Sequence, residues 1–343
     1  MISLAKLHEN FSTNDNIREL LTSHSIPINK IESIDNKFVY ILEKFLNEKK
    51  LTRDELLTLT QMPLSGVSFL MCVANNIREN LKGNLISFSK NVFIPLTQLC
   101  RDQCSYCTFK IEPGEGALLI EPEDVLESAK KAAELGCTEL LFVSGDKPER
   151  DYEVYRDKLK SMGHKSTADY MISMSELCLE ENIFPHSNLG IANQDELLRF
   201  KNSNPSMGLM LESISERLMD EGMAHYRCPD KYPKARIKTI CNAGELQIPW
   251  TSGILIGIGE NWEERVDSIL ELNRINTEYG HIQEIIIQNF NPKPGIKMEG
   301  QPVPTDLDMI KTVALSRMIM SNNVNIQVPP NLNSKSYMLH VFS

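Results

Sequence analysis

A chain of 343 residues, 41% hydrophobic and 24% charged, has the composition of an ordinary globular protein, which excludes a disordered or collagen-like chain. Its formal net charge of -10 argues against nucleic acid as a partner, because such binding leaves an extended basic face on the protein. No apolar run approaches the roughly 20 residues that cross a bilayer, and the amino terminus MISLAKLHENF lacks a signal-peptide core, so a cytoplasmic protein with no membrane partner is expected.

Residues 1 to about 85 read as short amphipathic helices joined by polar stretches such as Asn47 to Arg53, and a helical extension is assigned to 1–88, with a second unit over 89–343. From Asn91 the pattern changes to strands and helices in alternation, which predicts βαβ units and a parallel sheet. NVFIPLT, Asn91 to Thr97, is the first strand. EPEDVLESAKKAAELGCTELLFVSG is the clearest unit: Pro122 suits a first helical turn, Val125, Leu126, Ala129, Ala132 and Ala133 form an apolar face, Gly136 stops the helix, and a strand runs through Val143. Further strands are predicted at Ile183 to Ser187, Met207 to Leu211, Trp250 to Ile256, His281 to Asn289 and Asn325 to Val328, giving seven. The helices between them are predicted at Ala168 to Glu181, Asp195 to Phe200, Ile214 to Glu221, Lys231 to Glu245, Trp262 to Thr277 and Asp306 to Ser321, and Pro292 to Pro304 is the most loop-like stretch.

Directly after the first strand, LTQLCRDQCSYCTF places Cys100, Cys104 and Cys107 at C-x3-C-x2-C spacing. Electron-transfer clusters and structural zinc sites are normally closed by four protein ligands, and here the fourth is not local: no histidine follows within forty residues of Cys107. Three thiolates on one polar loop favour a cluster with one open iron, and a zinc site completed by a distant residue is the alternative. Cys72, Cys137, Cys178, Cys228 and Cys241 are scattered singly and read as small core hydrophobes. Tyr106 would bring an aromatic face close to whatever binds the open iron, or else is a half-buried loop aromatic.

Polar residues cluster where the strands end, the face that carries active sites in α/β barrels. Ser144, Gly145 and Asp146 follow the second strand, and an acid there accepts hydrogen bonds from an ammonium group. His186, Ser187 and Asn188 end the third strand, Glu212 and Ser213 the fourth, and Gln288 and Asn289 the sixth. The fifth carries GILIGIGE, Gly253 to Glu260, whose glycines let a planar adenine lie against backbone. It lacks the G-x-G-x-x-G order of a dinucleotide fingerprint. Each of these residues taken singly reads equally as a cap or turn residue; on successive strands they favour a polar pocket.

C-x3-C-x2-C with an aromatic before the third cysteine resembles the signature of the radical S-adenosylmethionine (SAM) superfamily. The resemblance implies an α/β, TIM-type (β/α) barrel with a [4Fe-4S] cluster on Cys100, Cys104 and Cys107 and SAM chelated to the open iron. The runs FIPLTQLCRDQCSYCTF, SGDKPE, PHSNLG, SMGLMLES, IPWTSGILIGIGE, GHIQEIIIQNFNPKPG and NIQVPPNL, spread over Phe93 to Leu332, are similar to the radical SAM subunit of the FO synthases. In that family a partner subunit couples tyrosine to 5-amino-6-(ribitylamino)uracil, and the subunit resembled here acts second, turning the adduct into a deazaflavin with loss of ammonia. The resemblance implies that Asp146 meets the SAM amino group, Glu212 and Ser213 its ribose or carboxylate region, and Tyr106 with Gly253, Ile254 and Gly257 its adenine. An electron donor is implied as well. Substrate contacts are expected from His186, Asn188, Gln288, Asn289 and Lys293. His186, His225 and Tyr226 are candidates for acid/base work, the last two standing beside a simpler reading as surface-loop residues.

The chain departs from the family at its carboxyl end. After NIQVPPNL it runs NSKSYMLHVFS, and only 15 residues follow Val328. A crossover helix with its strand averages roughly 17 residues before any loop is counted. An eighth strand is therefore expected to be missing through truncation or a frameshift, the barrel open between the seventh and first strands, and SYMLHVF a packed stub. Two alternatives stay open: a radical SAM enzyme acting on another small substrate, and a truncated chain that binds a cluster without turnover.

Overall fold

The period of two in the apolar residues after Asn91 sends one set of side chains toward a helical layer and leaves the other inside the curve of a sheet. The computed structural model of the chain describes residues 16–23, 34–47, 50–83, 85–321 and 323–333. Its strands are β1 (Asn91–Thr97), β2 (Glu139–Ser144), β3 (Phe184–Asn188), β4 (Ser206–Gly208), β5 (Trp250–Ile256), β6 (Ile282–Asn289) and β7 (Asn325–Gln327). All seven lie in one sheet in chain order, and every neighbouring pair is parallel. Among the described residues β1 pairs with β2 alone and β7 with β6 alone, so the sheet is an open barrel with its seam between β7 and β1. SYMLHVF lies outside the described residues. Pro95 sits in β1, a strand with one unpaired edge and a register shift between Pro95 and Thr97, the setting in which a residue without an N–H is tolerated.

The helices are α1 (Asn16–Ser23), α2 (Asn36–Leu46), α3 (Arg53–Thr60), α4 (Leu64–Lys82), α5 (Pro122–Glu134), α6 (Glu153–Ser161), α7 (Thr167–Glu180), α8 (Gln194–Lys201), α9 (Pro233–Glu245), α10 (Trp262–Tyr279) and α11 (Asp306–Ile319). Capping boxes fix the starts of α3, α8, α10 and α11 through Thr52 with Glu55, Asn193 with Glu196, Asn261 with Glu264 and Thr305 with Asp308. Leu140, Phe142, Trp250, Ile254, Ile285 and Ile287 point outward into one core with the helices.

Three expectations are corrected. The helix predicted over Ile214 to Glu221 is only a 3-10 turn at Glu216–Met219, because the backbone is extended at Ser215 before it and again at Asp220 after it. The helix predicted from Lys231 starts at Pro233, since the residue before a proline is pushed out of the helical region and Pro itself suits the first turn. β4 is shorter than predicted: Leu211 and Glu212 lie beyond it, and Glu212 rejoins β5 only as an isolated bridge to Ile254. Sequence reading also missed α6, whose buried face is just Tyr155 and Leu159 amid charged residues.

Helices α1 to α4 precede the sheet and form a second core into which Val266 of α10 and Ala314, Leu315 and Met318 of α11 project. The union is also polar: Lys311 donates to the Thr60 carbonyl at 2.8 Å, and Arg53 pairs with Asp267 at 2.6 Å. No helix among the described residues is long and apolar enough to cross a membrane.

Candidate active site

Beyond β1 the backbone turns sharply, with the Thr97 hydroxyl accepting from the Leu99 amide at 3.2 Å and donating to the Leu118 carbonyl at 2.7 Å. The cysteine loop begins there. The Asp146 amide donates to Cys100 Sγ at 3.2 Å and the Phe109 amide to Cys107 Sγ at 3.4 Å. Gly145 makes the first contact feasible, because a Cβ on it would lie 1.9 Å from the Leu99 carbonyl oxygen. Burial, then the charge of Asp102, pushes the Cys100 thiol up to about 12, so without a metal it stays protonated. Among the described residues Asp102, Asp146 and Asp230 bring carboxylate oxygens within 4.8 Å of one another beside this loop.

A distant segment braces the loop. Arg101 forms a two-pronged ion pair with Asp230, Asp102 Oδ1 accepts from the Asp230 amide at 3.3 Å, and the Ser105 amide donates to the Ala224 carbonyl at 2.9 Å. Tyr106 Oη and His225 Nε2 are 2.9 Å apart, and the buried Cys228 thiol donates to the Tyr226 carbonyl at 3.5 Å. His225 is 1% exposed, which corrects its surface-loop reading. Burial and then Lys231 lower its pKa to about 3, so the ring is neutral beside the Tyr106 hydroxyl. Tyr226 is half-buried, with the Arg227 guanidinium 5.3 Å from its ring centre. From the far side the Met298 amide donates to the Ser105 carbonyl at 3.1 Å, and Leu218, Ala224, Leu255, Ile258 and Phe290 form an apolar cluster against which Tyr106 packs.

Two buried carboxylates beyond strand ends each leave one oxygen without a donor. Asp146 Oδ2 accepts from the Ile191 amide at 3.3 Å while Oδ1 has no partner, and burial, then the charge of Asp230, raises this carboxyl to about 7. Glu212 Oε1 accepts from Lys231 Nζ at 2.7 Å while Oε2 has no partner. Burial opposes the Glu212 charge, but Lys231 and Arg236 outweigh it and hold the carboxyl below its usual range. Glu212 also has a φ of 64°, an uncommon setting for a residue with a side chain. Ser213 is more committed, its Oγ accepting from Ser215.

In GILIGIGE the glycine at 253 serves packing, since a Cβ there would lie 2.1 Å from the Ile286 carbonyl oxygen. Ile254 sends its side chain to the helix layer, leaving only backbone on the inner face at that position. Sequence reading missed the part played by Glu260: it accepts from the amides of Gly257 and Ile258 and pairs with the buried Arg265 at 2.6 Å, locking the turn.

The remaining candidates divide. Asn188, Gln288 and Asn289 are half-buried at the carboxyl ends of β3 and β6; Asn289 Nδ2 donates to the Leu332 carbonyl at 2.8 Å and its Oδ1 has no partner. Lys293 is exposed on the loop after β6. His186 faces the other way, with Nδ1 2.7 Å from the Ser206 hydroxyl and 4.0 Å from Glu139 Oε2, residues at the amino ends of β4 and β2.

Residues 94–272 match the model of the radical SAM superfamily. The chain is 52% identical over 251 residues to 7,8-didemethyl-8-hydroxy-5-deazariboflavin synthase of Methanothermobacter thermautotrophicus, covering 73% of this chain and 75% of that protein. It is 47% identical over 257 residues to the enzyme of the same name from Methanopyrus kandleri, covering 74% and 77%. Its fold is similar to that of the FeFe-hydrogenase maturase HydG from Carboxydothermus hydrogenoformans, with a TM-score of 0.71, 21% identity and coverage of 97% and 75%. Methylornithine synthase gives a TM-score of 0.61 at 17% identity, covering 86% and 88%. With its three cysteines on the turn after β1 and its unsatisfied carboxylates at the strand ends, the chain belongs to the radical SAM superfamily and, within it, to the family of 7,8-didemethyl-8-hydroxy-5-deazariboflavin synthases.

Proposed function

We propose that this chain forms 7,8-didemethyl-8-hydroxy-5-deazariboflavin from the tyrosine-derived adduct of 5-amino-6-(ribitylamino)uracil, with release of ammonia, 5′-deoxyadenosine and methionine. The observation that carries this reading is the pair of donorless buried oxygens, Asp146 Oδ1 and Glu212 Oε2, beside a loop bearing three cysteines. Buried acceptors are rarely left unsatisfied, and an ammonium and a ribose hydroxyl are the donors that SAM offers. A reduced [4Fe-4S] cluster with SAM on its open iron supplies, when bound, a 5′-deoxyadenosyl radical that removes hydrogen from the substrate. Cys100, Cys104 and Cys107 hold the cluster; the amides of Asp146 and Phe109, already aimed at two of the sulfurs, stabilise them as thiolates. Asp146 takes the SAM ammonium, which neutralises the surplus negative charge left after Arg101 pairs with Asp230. Glu212, kept ionised by Lys231, takes the ribose, and Tyr106 with the backbone of Gly253, Ile254 and Gly257 borders the adenine. The apolar cluster around Tyr106 excludes water and competing hydrogen donors. Asn188, Gln288 and Asn289 orient the substrate.

In this reading the chain works in the cytoplasm, receives the adduct from a partner subunit and draws electrons from a low-potential donor. Residues 1–88 form a helical base and 89–343 the catalytic unit. The test is 5′-deoxyadenosine formation by anaerobically reconstituted protein with SAM and reductant, with and without the adduct. Adduct-dependent cleavage with deazaflavin fluorescence is expected. Cleavage that ignores the adduct overturns the substrate, and a cluster-loaded protein that cleaves nothing overturns the enzyme.

A further inference from the structure

The inner face of the sheet is not filled. Because Leu140 and Phe142 of β2, Trp250 of β5 and Ile285 and Ile287 of β6 point outward, Leu141, Val143, Thr251, Ile286 and Gln288 point inward. All five are half-exposed although β2, β5 and β6 each have a neighbouring strand on both sides. In a filled barrel such positions carry layers of interlocking branched side chains, so this lumen is hollow.

Its amino end is lined with polar groups. His186, 7% exposed, has Nδ1 on the Ser206 hydroxyl at 2.7 Å and Glu139 at 4.0 Å. Its Nε2 has no hydrogen-bond partner among the described residues and lies over Gly208, where a Cβ would approach it to 3.0 Å. Glu284, on the inward face of β6, is paired in register with Thr251 on one side and Asn325 on the other. Burial, then the charge of Glu139, raises Glu284 to about 7, as befits a carboxyl short of donors.

These groups are mainly acceptors. Carboxylates repel a phosphate, and Glu139, His186 and Glu284 do not come together closely enough to form a metal-ligating group. What fits is an uncharged chain rich in hydroxyl donors. From Gln288 down to Glu284 the strand descends about 13 Å, enough for such a chain to hang below a ring system held at the carboxyl end.

Resting on the functional reading above, we propose that Glu139, His186, Thr251 and Glu284 form a polyol subsite that takes the ribityl chain. The substrate then lies along the barrel axis, its sugar-alcohol end on the floor and its tyrosine-derived end toward the cysteine loop.

The test compares binding of 7,8-didemethyl-8-hydroxy-5-deazariboflavin with that of the same ring bearing a methyl group in place of the ribityl chain, to cluster-loaded protein with SAM, by fluorescence quenching. Wild type should prefer the ribityl compound by about tenfold or more, the worth of one or two hydrogen bonds. Glu284→Gln and, independently, Thr251→Val should shrink that preference below about threefold while leaving affinity for the methyl compound and the SAM-dependent cluster EPR signal unchanged. Thr251→Val keeps the test decisive if Glu284→Gln fails to fold. Equal weakening of both compounds by the variants, or no preference in wild type that makes deazaflavin, overturns the subsite. Wild type that loads its cluster but binds neither compound and makes no deazaflavin overturns the functional reading and the subsite with it.

Discussion

At the scale of single residues the site separates groups that bind from groups that hold the binders in place. Asp146→Asn should load cluster normally, yet bind SAM roughly 10- to 100-fold more weakly, the loss of one charge-assisted hydrogen bond, read from the SAM dependence of the cluster EPR signal. Tyr106 and His225 act as a unit. Tyr106→Phe leaves His225 Nε2 buried without its partner, and His225→Phe strands the hydroxyl, so each should raise the KM for SAM while the double variant costs little more than either one. Additive losses in that cycle would show that the contact at 2.9 Å does not couple them. The cysteines, Asp146 and Glu212 were legible because their chemistry is written in residue type at a strand end. His225 was not: nothing in HYRCPDK marks burial, and its partner is 119 residues away. His186 shows a different limit, since alternation tells which face of a strand a side chain takes but not toward which end it leans.

At the scale of elements the segment 224–231 is a brace for the cysteine loop, gripping it through Arg101, Asp102, Ser105 and Tyr106. Asp230→Ala leaves the half-buried Arg101 without its buried counter-charge, a loss of about 1–3 kcal/mol. Reconstituted protein with this change should lose iron to a chelator faster than wild type, and equal rates would exclude the brace. Strands β1, β2, β5 and β6 were readable from their β-branched runs, and α5 from Pro122 and Gly136. The helix predicted at Ile214 to Glu221 failed because the backbone is extended at Ser215 and again at Asp220, which leaves room for a single 3-10 turn. α6 escaped notice because two buried residues among charges leave almost no periodic signal.

At the scale of the whole molecule the amino-terminal helices and the last two helices of the sheet layer share one core. Leu315→Ala should lower stability by about 2–5 kcal/mol, and removing residues 1–88 should leave protein that shows no cooperative thermal transition by circular dichroism. The hollow lumen has its own signature. Glu284 binds its proton more tightly folded than unfolded, so stability should fall as pH rises from about 4.5 through about 7 and level off above. Glu284→Gln should flatten that slope, worth roughly 1–3 kcal/mol in apo-protein melts, with Glu139 the charge acting on it and His186, kept neutral by burial, beside Glu139.

The shared core also orders events during synthesis. Each strand pairs with the one made just before it, and the cysteine loop and its brace are both complete once Lys231 has left the ribosome, so the metal-binding region assembles largely from neighbouring stretches of chain. Helices α1 to α4 are made first and yet finish last, their apolar faces waiting for Leu315 and Met318. Until α11 emerges, those faces are what a chaperone has to guard.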